Sequence, residues 1–451
     1  MRPETVRPPV ARPSAAHSRL AGPTARGQRP YAGPRVAARY AADALRLAVL
    51  IGIAAAALAL AVAGSRTVAA SVDEQAIAGH AATPAASAAA TVLPPLAVVP
   101  ADAPVPPHCA PDAPQPDSAA LRALYAGPVA GWPAPCLLPG AHWSELAPLP
   151  ERPPLWPEDA AAPARIALGK RLFHDPRLSR SGQIACASCH EQDLGWADGR
   201  RVSFGHDRQP SLRHAPSVRY AAYAAPLFWD GRAPSLEAQA LMPILHPAEM
   251  AFDRAGLETR LAGLDDYAET ARQVYGRERL TMDDMARALA DFQRSLAKPR
   301  GRYQAFLHGR REAFSDAQLR GLHVFRTAGG CMNCHSGAAL TDNRFHNLGI
   351  SFYGSRREDR GRYAVTGRPE DMGAFRTPAL LAVGETAPYM HAGHFRDLRQ
   401  VIAMYVAGMP QPPPRGAQVD DPLFPKQSTL LRPLPLSELQ RGDLEAFLET
   451  L

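Results

Sequence analysis

The chain has 451 residues, room for two or three domains. Its 46 Pro and formal charge of +7 look like a basic, irregular protein, but nine Arg set against Glu4 and Asp43 within residues 1–46 account for that excess. The remainder is near neutral, so the basic balance belongs to a tail and implies no nucleic-acid partner.

Behind that tail, Leu47 to Gly64 is an apolar segment of 18 residues. A positive flank before an apolar run predicts a cytoplasmic N-terminus and export of the chain beyond the run. Cleavage near Val68-Ala69-Ala70 and retention as a membrane anchor are both open, because 18 Ala-rich residues are at the lower limit of a span. Residues 1–70 are therefore expected to be a cytoplasmic tail plus signal peptide or anchor. Residues 71–156 are rich in Ala and Pro, which removes backbone donors and restricts neighbours, and read as a linker arm. Cys109 and Cys136 lie in it. In an oxidising compartment a disulfide between them is the economical reading, with free buried thiols the alternative. Trp132 and Trp143 would let the stapled part pack onto the region C-terminal to it.

The organised region begins near Pro157, with a helical stretch from Ala161 to Phe173. Cys186, Cys189 and His190 then form C-x-x-C-H, and Cys331, Cys334 and His335 form it again. Two thiols three positions apart can each make a thioether to a haem vinyl group, and the adjoining His can ligate the iron. A zinc knuckle or a redox C-x-x-C is the blander reading of such doublets, but these lie 145 residues apart, each with its own His. The pattern favours two covalently bound haem c groups.

Between the motifs, Thr281 caps a helix with Met285, Leu289, Phe292 and Leu296 on one face. Ser315 to Gln318 is a capping box, opening a helix that reaches Phe325 just ahead of the second motif. Helix, turn and C-x-x-C-H twice over is an internal repeat, placing haem domains at 157–305 and 306–451. Further on, Asp397 with Gln400 opens a helix whose Leu398, Val401, Ile402 and Tyr405 share a face, with Met404 about 100° round. A last helix from Ser437 is expected to bury Leu444, Phe447, Leu448 and Leu451. No convincing alternating strand pattern occurs. The expected fold is mainly α, two cytochrome c-like haem domains in tandem behind an exported Pro/Ala-rich N-terminal arm.

Phe228 to Arg232 (F-W-D-G-R), Ser235 to Pro243, Pro247 to Met250 (P-A-E-M), Thr341 to Gly349, Phe375 to Leu380 and Thr386 to Gly393 together resemble the bacterial di-haem cytochrome c peroxidases and their MauG relatives. The resemblance runs from about 160 to 451. It implies a peroxidatic N-terminal haem and an electron-receiving C-terminal one. It also implies Glu249 as acid/base, Gln239 as its hydrogen-bonding companion and Trp229 as the electron carrier between the haems. A surface carboxylate is the plain reading of Glu249 without its motif, and a packed core Trp that of Trp229. His206 stands where the peroxidases carry a displaceable distal ligand; a lone His in a polar loop is otherwise simply solvated.

Two positions depart from the peroxidase pattern. The C-terminal haem usually takes a Met as sixth ligand, and its place is held by Tyr405, as in MauG; Met404 or neither residue are the alternatives. A phenolate favours ferric iron and lowers the potential. The family also binds calcium between the haems through an Asn amide and backbone oxygens, here of Thr386 and Pro388. The Asn position is His214, and imidazole is a poor substitute for a hard oxygen donor.

The implied activity is that of a periplasmic peroxidase reducing hydrogen peroxide to water with electrons from a small cytochrome c or cupredoxin. Its alternatives are a MauG-like enzyme oxidising residues of a partner protein through a high-valent haem state, or a non-catalytic electron-transfer cytochrome. The family is often homodimeric, which no residue here argues independently.

Overall fold

The structure is a computed structural model that describes residues 94–110 and 114–451. The apolar run 47–64 lies outside these residues. No helix of the described residues is long and apolar enough to cross a membrane.

Strand β1 (Ala97–Val98) pairs antiparallel with β2 (His142–Trp143), and the short helix α1 (Ser118–Leu124) lies between them in the chain. The first helical group comes next: α2 (Ala162–Phe173), α3 (Leu236–Leu245), α4 (Arg254–Ala262), α5 (Ala268–Tyr275) and α6 (Met282–Leu296). The second contains α7 (Gly301–Leu307), α8 (Asp316–Arg326), α9 (Tyr363–Thr366), α10 (Leu398–Val406) and α11 (Glu438–Leu448). A second antiparallel pair joins β3 (Phe345–Asn347) to β4 (Ala374–Arg376). The described residues are thus mostly helical with little sheet.

The helices begin where the capping chemistry places them. The Thr281 hydroxyl accepts from the Asp284 amide at 3.1 Å and the Asp284 carboxylate accepts from the Thr281 amide, closing a box at the start of α6. Ser315 with Gln318 and Ser437 with Gln440 do the same for α8 and α11. Each box satisfies amides that the first turn leaves unpaired.

The repeat is legible in the packing. In each half, the helix preceding C-x-x-C-H crosses the last helix of that half at a glycine. A Cβ on Gly169 in α2 would lie 1.9 Å from the Ala288 carbonyl oxygen of α6 and 2.8 Å from Phe292 Cβ. A Cβ on Gly321 in α8 would lie 1.9 Å from the Asp443 carbonyl oxygen of α11 and 2.7 Å from Phe447 Cβ. Beside each crossing an arginine of the first helix holds an aspartate of the second: Arg165 with Asp291, and Arg320 with Asp443, the latter through two bonds of 2.8 Å. Around the first crossing Leu168, Leu172, Phe173, Met285, Leu289 and Phe292 form one apolar core. Around the second, Leu322, Phe325, Leu444 and Phe447 form another.

The arm differs from the linker expected over 71–156. From Leu121 onward it belongs to the second core, where Leu121, Tyr125, Trp132, Leu146 and Leu149 are buried. Cys109 and Cys136 are joined by a disulfide with Cα atoms 5.6 Å apart. Next to it the Cys136 amide donates to the Arg326 carbonyl at 2.8 Å and the Leu138 amide to the Asn333 side chain at 2.7 Å. The Gly337 amide donates to the Ser144 carbonyl at 3.0 Å. Prolines removed donors from the arm, and several of its remaining backbone groups find partners on or beside the second C-x-x-C-H loop.

Candidate functional site

Both C-x-x-C-H loops open onto one cavity of about 690 Å³. Cys186, Cys189 and His190 line it from one side of the chain's repeat, and Cys331, Cys334 and His335 from the other. Each loop is a single 3₁₀ turn in which the His amide donates back to the first Cys carbonyl, at 3.0 Å for His190 and 2.8 Å for His335. That turn sets two thiols and an imidazole on one side of the backbone.

The two imidazoles are held alike. His190 Nδ1 lies 3.2 Å from the Trp196 carbonyl, and His335 Nδ1 lies 3.1 Å from the Leu340 carbonyl. With Nδ1–H donating to that carbonyl, Nε2 keeps its lone pair, the arrangement of a metal-binding imidazole. Burial pushes both imidazoles below the ordinary histidine range and so keeps them neutral. Four cysteines without disulfide partners, two neutral imidazoles and a mainly apolar cavity fit two covalently held haems.

Glu249 lines the cavity, as do Gln239 and Trp229. Burial, more than the charges of Asp198 and Glu249, pushes the Cys189 thiol up. The Glu249 side chain is 31% exposed, with one oxygen 3.9 Å from His246 Nδ1. Gln239 stands on α3, which Ser235 caps through the Ala238 amide, and Glu249 comes after the turn that ends this helix. Trp229 is fixed at both ends: its indole N–H donates to the His214 carbonyl at 2.9 Å, and its own carbonyl accepts from the Arg376 amide at 2.7 Å. F-W-D-G-R and F-R-T-P-A-L are thereby tied together.

His206 is not among the residues lining the cavity, although its neighbour Gly205 is. Its amide donates to the Glu249 carbonyl at 2.8 Å, and its Nδ1 is buried without a partner. The adjoining Asp207 and Arg208 have φ of 52° and 57°, the left-handed region that side chains disfavour. The loop carrying this imidazole is therefore strained and pinned to the carboxylate's own backbone.

On the opposite side, Leu398, Val401, Ile402 and Tyr405 of α10 all line the cavity and Met404 does not, as helical phase requires. Burial pushes the Tyr405 phenol well above its ordinary range. Thr386 and Pro388 also face the cavity. His214 Nδ1 is 2.9 Å from the Arg200 carbonyl, so this side chain adds no oxygen to a calcium shell. Of the expected donors, Thr386 and Pro388 could offer backbone oxygens, which calcium prefers, and the His214 side chain none.

Sequence reasoning missed His391, which sits inside the Y-M-H-A-G stretch already singled out. Its ring stacks on Phe375 with centroids 3.7 Å apart and lies 6.5 Å from Trp229. It also missed Arg213, whose guanidinium binds Asp230 and Asp359 beneath Trp229's loop. His246, three positions before Glu249, was the signal available for a partner to that carboxylate.

A fold of two helical cores around one cavity, each core presenting C-x-x-C-H, defines a di-haem c-type protein. The family model for di-haem cytochrome c peroxidase matches residues 163–312. The chain is 36% identical over 341 residues to the methylamine utilization protein MauG of Methylorubrum extorquens, covering 75% of this chain and 86% of that one. It is 33% identical over 336 residues to cytochrome-c peroxidase IdrP1 of Pseudomonas sp. (strain SCT), covering 68% and 85%. A solved structure of a MauG-like protein associated with microbial copper homeostasis superposes with a TM-score of 0.58 at 29% identity, covering 68% and 93%. The chain belongs to the di-haem cytochrome c peroxidase and MauG family. It is accordingly a di-haem oxidoreductase acting on peroxide, with two c-type haems.

Proposed function

We propose that hydrogen peroxide is reduced to water beside His190, with two electrons arriving one at a time by way of the His335 side. The donor is a small periplasmic cytochrome c or cupredoxin. The observation that carries this reading is the shared cavity, lined by both motifs and by Glu249 and Gln239, with Trp229 bonded to both halves. When bound, the haems supply the iron that takes peroxide and the redox couple that takes electrons.

The chain's residues supply the rest. Glu249 takes a proton from one peroxide oxygen and gives it to the other, so that the departing oxygen leaves as water. Gln239 orients peroxide against that carboxylate. Trp229 keeps the path between the two sites in one geometry. His206, off the cavity wall in this structure, would swing in on its strained loop to close the first site in the resting oxidised protein and leave it when the second site is reduced, a two-state element biased by redox state. The halves are assigned as 157–305, peroxidatic, and 306–451, electron-receiving, the latter completed by the disulfide-stapled arm. The protein acts in the periplasm, released or held by its N-terminal segment.

Steady oxidation of reduced cytochrome c by peroxide, faster after one-electron pre-reduction, is the expected result. No turnover with several c-type donors would end the proposal. Glu249→Gln should slow the chemical step by about 10²–10⁴-fold, and an unchanged rate removes Glu249 from the role. A MauG-like oxidation of a partner protein is the second reading, supported by Tyr405 facing the cavity in place of a thioether. It requires a long-lived spectral change when peroxide meets the diferric protein; rapid return to the resting spectrum excludes it.

A further inference from the structure

The arm contributes more than apolar surface to the second core. Tyr125, 1% exposed at the end of α1, has its hydroxyl 2.9 Å from Nδ1 of His323, 6% exposed on α8. Trp132 stands edge-on to the tyrosine ring with centroids 5.0 Å apart. The guanidinium of Arg326 lies 5.4 Å from the Trp132 ring and also 3.7 Å from the Met332 sulfur, inside the second C-x-x-C-H motif. Tyr125 and Trp132 belong to the same apolar cluster as Met332, against which Cys331 packs.

We propose that Tyr125 is a redox-active tyrosine, which gives one electron to the C-terminal haem after peroxide has oxidised the pair while its phenolic proton passes to His323. The proposal rests on the peroxide reaction set out above and adds a protein-based store for one of its two oxidising equivalents. The phenolic O–H bond breaks and an N–H bond forms at Nδ1. Tyr125 becomes a neutral radical, His323 an imidazolium, and the haem pair gains one electron. When the donor returns an electron, the proton goes back and the phenol is restored.

The surroundings select for this step. An oxidised phenol must shed its proton, and water is excluded here, so a base within hydrogen-bond reach is required. Burial, with the charges of His108 and Arg326, pulls the His323 imidazole down to about 4 and keeps its lone pair free at neutral pH. Burial pushes the Tyr125 phenol up to about 12, so the phenol stays protonated until an electron leaves. Trp132 is the poorer resting place for the charge. Two guanidiniums, Arg326 and Arg311, lie 5.4 and 5.7 Å from its ring and oppose a cation on the indole. An equivalent parked on Tyr125 is withheld from oxidisable sulfur such as Met332 when no donor is present.

The test mixes oxidised holoprotein with hydrogen peroxide, without electron donor, and freezes it for EPR alongside optical spectra of the haems. A narrow organic radical signal is expected, narrowing further when the protein is made with ring-deuterated tyrosine, and lost in Tyr125→Phe. That substitution removes one hydroxyl and keeps the ring packing. His323→Gln, which keeps a polar partner but removes the base, should lose the signal as well. A tyrosyl signal undiminished in Tyr125→Phe, or haems that respond to peroxide with no tyrosyl signal in the wild type, overturns the proposal alone. Haems that do not respond to peroxide overturn it together with the peroxidase reading.

Discussion

Replacing Gly321 by Ala adds one methyl group where α8 meets the backbone of α11. The new Cβ would lie 1.9 Å from the Asp443 carbonyl oxygen, against an ordinary contact of 3.4 Å or more, so the helices must part by about 1.5 Å. The obstruction is main chain and cannot be relieved by a rotamer. Overpacking of this kind costs roughly 1–3 kcal/mol. Parting the helices also strips dispersion contacts from Phe447, Phe325 and Leu322, which are fully buried there. The helix-propensity gain of Ala over Gly returns about 1 kcal/mol, leaving a net loss of about 1 kcal/mol. For a unit of this size that is about 2–4 °C in Tm. Thermal unfolding of the holoprotein, followed by circular dichroism, measures it. Gly442→Ala is the internal control: the same change within α11, where an added Cβ meets nothing within 4 Å. It should stabilise by up to about 1 kcal/mol. A Gly321→Ala protein melting at or above the wild type would refute the close crossing, and equal losses at both positions would refute the steric reasoning.

Tyr405→Met should raise the potential of the C-terminal haem, since thioether sulfur favours ferrous iron more than phenolate does; a redox titration that shows no change would mean Tyr405 only packs. Cys109→Ser with Cys136→Ser opens a loop with sequence separation 27 and should cost about 3.5 kcal/mol by chain entropy, read as a lower unfolding midpoint in denaturant. His323 predicts a pH effect. Its folded value of about 4 lies below the unfolded value near 6.5, so the unfolded chain binds the extra proton between them and stability falls as pH drops through that window. From pH 7 to pH 5 the loss should approach about 2 kcal/mol, and His323→Gln should flatten the slope of Tm over that interval; an identical slope in both proteins would contradict it.

Local features of this chain were readable in advance because they depend on neighbours in sequence. Capping boxes at Thr281, Ser315 and Ser437, the C-x-x-C-H turns, and the α10 face ending at Tyr405 all arise from spacings of three or four residues. Contacts made across the chain were not readable. Trp132 was expected to pack onto the region C-terminal to it, but nothing local marked Tyr125, whose partner His323 is 198 positions away. Gly169 and Gly321 carried no mark of the helices that press on them. The orientation of His206 depends on a backbone bond to Glu249, a tertiary constraint that its own loop does not encode.

The arm precedes the first core in the chain yet completes the second. Leu138 reaches Asn333 across 195 positions, so the entire first core is strung between two pieces of its neighbour. Excising residues 306–451 would leave a half deprived of Leu121, Trp132 and Leu146, and of the hydrogen bonds that steady its cysteine loop. Such distant closure must await nearly the whole polypeptide, which makes assembly slow and late. Once made, it clasps both ends of the described chain into one core, with the other core held between them.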